Sequence, residues 1–232
     1  MTTVELSPFH LRLVEDAGAV IGRYGLLLAG GYALRAHGRT DRPVDGLTFV
    51  TGDEAQLAEV THAVAAAFRM TGLSAKPGET GPRMGHVAVT DEITGQVCEV
   101  KLLHEALRDR PFAVEPCPVV GLDDAVGLRV RALHDRGLAR DFVDVASVSG
   151  LYGFRTLERL GARHDDDWRT EDLVERLETV DHLADEAFAE CGLDEERIAE
   201  VRRFAYAWVE DIKLRRVDDG DAEFDVDIPE VD

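Results

Sequence analysis

The chain has 232 residues, enough for one compact domain with an appended lobe or for two small domains, and its 45% hydrophobic content supports a buried core. No apolar run reaches the length of about eighteen residues that a spanning helix needs, and MTTVELSPFH has neither the basic nor the apolar region of a secretory signal. The net charge of −20 is general, because the stretch after Arg216 holds eight acids and no base and still leaves about −12 on the rest. Such a surface repels nucleic-acid backbones and anionic membranes at long range, without forbidding a local basic pocket. Cys98, Cys117 and Cys191 are scattered and odd in number, with no CxxC, which argues against a disulfide framework or a zinc site and fits a reducing, cytoplasmic setting.

Residues 8–25 carry Leu11, Leu13, Val14, Ala17 and Val20 near a 3.6 period, which predicts a helix ended by Gly25. LLLAG follows as a short buried strand, YALRAHG as a helix stopped by Gly38, and RTDRPVDG as a turn into a second strand, LTFV. A helix is expected over 53–72, a loop over SAKPGETGPRMG, and two antiparallel strands, HVAVTD and QVCEVKLL, joined by Glu92-Ile93-Thr94-Gly95. From Leu122 the pattern turns helical: LDDAVGLRVRALHDRG has acids in its first turn and bases in its last, matching the helix dipole. Further helices are expected from about Arg140 and over 155–161, 168–190 and 194–216. The last of these is amphipathic through Ile198, Val201, Phe204, Ala205, Trp208 and Ile212, and either packs on a helical lobe or forms a dimer seam. Strands alternating with helices, then helices alone, predict an α+β core over 1–120, a helical lobe over 121–216 and a disordered acidic tail over 217–232.

The chemistry-bearing stretch is LLLAGGYALRAHGRTDRPVDGLTFV. Without Cβ atoms, Gly30 and Gly31 let the backbone approach a phosphate, although a tight structural turn uses the same residues. AGGYALRAHG, DRP five residues before a strand, and ALHDRGLARDFVDV together resemble the AbiEii/AbiGii family of bacterial nucleotidyltransferase toxins, over residues 25–150. The resemblance implies a nucleotidyltransferase-like mixed sheet with flanking helices. It also implies transfer of nucleotidyl groups from nucleoside triphosphates with magnesium, and an antitoxin partner.

Three aspartates of the family pattern are replaced here, because the resemblance lays them on Gly46, Thr48 and Lys101. Their work is to hold divalent ions on the triphosphate, which Gly46 cannot do, Thr48 does weakly and Lys101 opposes. Asp45 lies one residue out of register, on the opposite strand face; Glu99 shares the face of Lys101 but sits about 6.6 Å along the strand, so these two are the fallback metal ligands. The cationic half matches the family better: Arg129 falls on the residue that reaches the phosphates, and Asp141 on an acid of the R-D-x-x-D segment, with Asp144 one turn on. Structurally, Arg129 is also an ordinary helix residue and Asp141 an ordinary helix N-terminal charge.

The candidate site is therefore Gly30, Gly31, Thr48 and Arg129 as phosphate binders, with Lys101 and Asp141 at the reacting position. Three readings stay open. One is a degenerate nucleotidyltransferase that binds a nucleotide or other phosphate-bearing ligand without the usual metal. The second is an active metal-dependent enzyme that modifies tRNA, protein or a small molecule. The third is an interaction or immunity module.

Overall fold

In the computed structural model, residues 3–52 and 56–218 are described. Helix α1 (Pro8–Asp16) begins where the Ser7 hydroxyl accepts the His10 amide at 3.3 Å and Pro8 supplies a preset φ. The single helix expected over 8–25 is two, α1 and α2 (Gly18–Arg23), separated at Ala17. Then follow β1 (Leu27–Leu28), α3 (Gly30–Ala36), β2 (Gly46–Thr51), α4 (Leu57–Met70), β3 (Ser74–Pro77), β4 (Met84–Thr90) and β5 (Val97–His104).

The strands form one mixed sheet in the order β1-β2-β5-β4-β3. β2 and β5 run parallel and every other neighbouring pair is antiparallel. The stretch from Ser74, expected to be a loop, contains the edge strand β3. Its Pro77 is tolerated because only one side of an edge strand is paired.

Along β5 exposure alternates with period two. Cys98, Val100 and Leu102 are buried, whereas Glu99 is exposed and Lys101 half-buried. α4 packs against β3, β4 and β5 and buries Val60, Val64 and Phe68, so one sheet face is core and the other is left for a cleft.

α5 (Leu122–Arg136) is the spine of the second half. It has Asp123 and Asp124 in its first turn and His134 and Arg136 in its last, and it ends at Gly137, whose φ of 56° is the left-handed conformation glycine adopts freely. α3 packs on one side of α5. On the others lie α6 (Ala139–Ala146), α7 (Phe154–Ala162) and α8 (Thr170–Glu178).

The helix expected over 168–190 is broken into α8, a 3₁₀ turn (Thr179–His182) and α9 (Asp185–Ala189). Leu183 and Ala184 are extended between them, which lets Val180 and Phe188 both reach the core. In α10 (Glu195–Asp218) the stripe Ile198, Val201, Ala205, Trp208 and Ile212 is buried within the lobe. The Trp208 indole stacks on Phe154 at 5.5 Å and donates to Glu158 at 2.9 Å. The tail beyond Asp218, expected to be disordered, lies outside the described residues. No described helix is long and apolar enough to cross a membrane.

Candidate functional site

Between the open sheet face and α5 lies a cleft of about 330 Å³. The parallel register sets Thr48 beside Lys101 and Gly46 beside Glu99, and the antiparallel register sets His86 beside Lys101. Gly30, Gly31, Asp45, Thr48, Glu99, Lys101 and Arg129 all line this one cleft. Asp141 does not; it is fully buried behind the wall.

The wall is a buried ion network. Arg42, only 8% exposed, reaches Asp144 with two bonds, Nε to Oδ1 at 2.6 Å and Nη2 to Oδ2 at 2.8 Å. Burial works against the Arg42 charge, and the hydrogen bond and charge of Asp144 outweigh it, so its pKa is raised. Arg136 grips Asp141 in the same two-pronged way, at 2.8 and 2.7 Å. The hydrogen bond to Asp141 is the chief reason the Arg136 pKa is raised. Asp141 also accepts the Leu138 amide at 3.2 Å, capping α6, so its carboxylate already holds three donors.

Arg129 is the third cation of this network and the least satisfied. Its side chain is 12% exposed, 3.5 Å from Asp144 and 3.9 Å from Asp141, and it donates no hydrogen bond among the described residues. Burial pushes its pKa below the ordinary value; Asp144 and Asp141 oppose that shift, while Arg42 and Arg136 add to it. Gly30 makes room for it: φ there is 70°, and a Cβ would stand 2.5 Å from the Arg129 Nη2. Gly31 likewise gives way to Val44 and Arg42, whose atoms would lie 2.9 and 3.0 Å from its Cβ. The two glycines thus admit guanidinium groups of the chain's own wall.

On the sheet side, Lys101 Nζ lies 3.3 Å from the Glu99 carboxylate. A Cβ on Gly46 would stand 2.6 Å from the Glu99 carbonyl oxygen, so the close pass of β5 leaves no space for a side chain there. Arg131, Arg136 and Arg140 complete a lining with six bases, against Asp45, Glu99 and Asp135. Arg42, in the DRP turn, is a functional-wall residue that the sequence does not single out. Its signal is a pairing with Asp144, 102 residues away, which no local spacing carries. His37 is structural: it stacks on Phe112 at 4.9 Å and bonds the Val120 carbonyl at 2.9 Å.

No family model and no curated protein sequence matches the chain. Solved structures do. JHP933 from Helicobacter pylori superposes with a TM-score of 0.53 at 14% identity, over 94% of this chain and 99% of that one. A candidate nucleotidyltransferase from the same species gives a TM-score of 0.51 at 15% identity, over 90% and 98%. MenT4, a nucleotidyltransferase toxin from Mycobacterium tuberculosis, gives 0.53 at 18% identity, over 87% and 83%. At such identities the likeness speaks for architecture alone, and with the five-stranded mixed sheet and its helical lobe it shows that this chain has the nucleotidyltransferase fold.

Proposed function

We propose that the cleft binds a nucleotide or another phosphate-bearing ligand through side-chain cations, in a nucleotidyltransferase scaffold whose paired-metal site has been lost. Arg129 carries this reading: it is a buried guanidinium whose neighbouring acids are each gripped by another arginine, and its own donors remain unspent at the cleft floor. A phosphate would supply the acceptor oxygens and charge that the wall withholds. Lys101 would join it, exchanging Glu99 for the ligand.

The donor set does not fit the divalent ions that the resemblance implies. Gly46 has neither ligand nor room, Thr48 offers one hydroxyl, and Lys101 places an ammonium where a cation would sit. Asp141, saturated by Arg136 and Leu138, serves in this reading as a positioning residue for the arginine wall. The chain is thereby given ligand recognition, in contrast to the toxin role of MenT4.

Calorimetric titration with ATP, GTP, CTP and UTP in EDTA tests this. Binding is expected without metal and to weaken with salt. Arg129→Ala should lower affinity about ten- to a hundredfold, the value of about 1.5–3 kcal/mol for a hydrogen bond to a charged group. Absence of binding would remove the phosphate site. Binding that requires magnesium and disappears in Asp45→Asn or Glu99→Gln, or transfer of labelled nucleotide to an acceptor, would establish the metal-dependent enzyme instead.

A further inference from the structure

At the rim of the cleft, where the last turn of α5 meets the connection between α7 and α8, His134, Asp135 and Asp165 each offer a ligand atom, all within 4.8 Å of one another. The His134 ring is 8% exposed and held from two sides. It stacks on Trp168 at 4.4 Å, and its Nε2 lies 3.2 Å from the Arg169 carbonyl. A carbonyl only accepts, so Nε2 carries a proton and donates it. Nδ1 then points its remaining valence at Asp135 Oδ1, 3.3 Å away, and at Asp165 Oδ2, 3.5 Å away. A neutral ring there aims a lone pair at two carboxylates, which is repulsive unless a positive charge stands between them.

We infer that this is a mononuclear divalent-cation site, with zinc preferred, bound by His134 Nδ1 and one oxygen each of Asp135 and Asp165. The spacing fits: ligand atoms about 2.0–2.1 Å from a tetrahedral zinc stand about 3.3 Å apart. A backbone carbonyl fixing the tautomer through the other ring nitrogen is the usual outer support of a metal-bound histidine. The end of α5 adds its negative dipole, which favours a cation beside Asp135. The second oxygens are already engaged elsewhere, Asp135 Oδ2 with Arg131 Nε at 3.8 Å and Asp165 Oδ1 with the Asp167 amide at 3.1 Å. One imidazole with two carboxylates suits zinc over magnesium, which takes oxygen ligands, and water completes the shell. The ion would pin the α7–α8 connection to α5 at the mouth of the cleft, since Asp135 lines both.

Zinc titration of the metal-free full chain, followed by calorimetry and by the imidazole nitrogen resonances of His134, tests the site. One zinc per chain is expected, with a shift confined to Nδ1 while Nε2 keeps its proton, and with a higher melting temperature. Asp165→Asn and Asp135→Asn should each weaken zinc about a hundredfold, because loss of even an outer-shell partner costs about ten- to a hundredfold. Magnesium should bind far less, and Glu99→Gln in the cleft should leave zinc affinity unchanged. If both ring nitrogens are protonated at neutral pH and zinc displaces neither proton, the positive charge is the imidazolium itself and the site is overturned. Zinc affinity that survives both aspartate variants overturns it as well.

Discussion

Arg42 and Arg129 lie in the same buried wall, yet the hydrogen bonds separate their roles. Arg42 spends its donors on Asp144 and on the Pro43 carbonyl, whereas Arg129 makes only longer ionic contacts. Removing Arg42 leaves Asp144, which is fully buried, with Arg129 alone at 3.5 Å. Arg42→Ala should therefore cost about 3–5 kcal/mol in urea unfolding, with an unchanged slope, because an uncompensated buried charge is expensive. Arg129→Ala should cost markedly less stability, since Asp144 and Asp141 keep their two-pronged partners, and its effect should fall on ligand affinity. Equal destabilisation by the two variants would make Arg129 a structural ion like its neighbour.

The pairing of β2 with β5 decides what the cleft can hold. Because the two strands are parallel and in register, Gly46 at the start of β2 lies opposite Glu99 within β5, and a Cβ on Gly46 would lie 2.6 Å from a backbone oxygen. A backbone atom cannot rotate away as a side chain can. Gly46→Ala should destabilise by about 1–3 kcal/mol, the usual cost of forced overpacking, measured by denaturant unfolding. Gly46→Asp should be worse, so the family's first carboxylate is not restored by one substitution. An alanine variant as stable as the parent would show that β5 yields easily at Glu99, and would weaken the case for a lost metal site.

A buried charge cluster ties the sheet to the lobe across the whole molecule. His164, after α7, lies 3.6 Å from Glu105 beyond β5 and 3.5 Å from Asp124 in α5, contacts that become ion pairs when its ring is protonated. Arg131 donates to the other Glu105 oxygen, Oε1, at 2.5 Å, Arg83 shares Oε2 with His164 at 3.1 Å, and both arginines donate to the His164 carbonyl. Burial opposes the His164 charge, but Asp124 and Glu105 outweigh it and raise its pKa. Burial likewise opposes the charges of Glu105 and Asp124, but His164, with Arg131 and Arg83 for Glu105 and the Asp109 and Arg108 amides for Asp124, prevails and lowers both. A raised histidine contributes its full stability below its unfolded pKa of about 6.5 and loses it as pH climbs through the folded value. The lowered carboxylates contribute above their unfolded values of about 4 and lose it as pH falls. The cluster should thus stabilise most between about pH 4 and 6.5. Melting curves across pH should show a decline on the alkaline side that His164→Gln flattens; an unchanged decline would assign it to other groups.

Much of the architecture was legible in the sequence because it is written at short range. Period two in QVCEVKLL put Glu99 and Lys101 on one strand face, and the glycine pair after LLLA marked the turn into α3. The charge pattern of LDDAVGLRVRALHDR marked both ends of α5. The periodicity failed where apolar spacing continues through a change of direction, at Ala17 and at Leu183-Ala184, because burial on both sides preserves the pattern while the backbone turns. What only the tertiary structure decided is which charges meet. Asp144 belongs to Arg42 across 102 residues. Asp141 is sealed by Arg136, Arg129 is left unspent, and His134 faces Asp165 from another helix connection. Ion pairing and ligand geometry depend on distances of a few ångströms between segments far apart in the chain, and local sequence carries no record of those distances until the chain has folded.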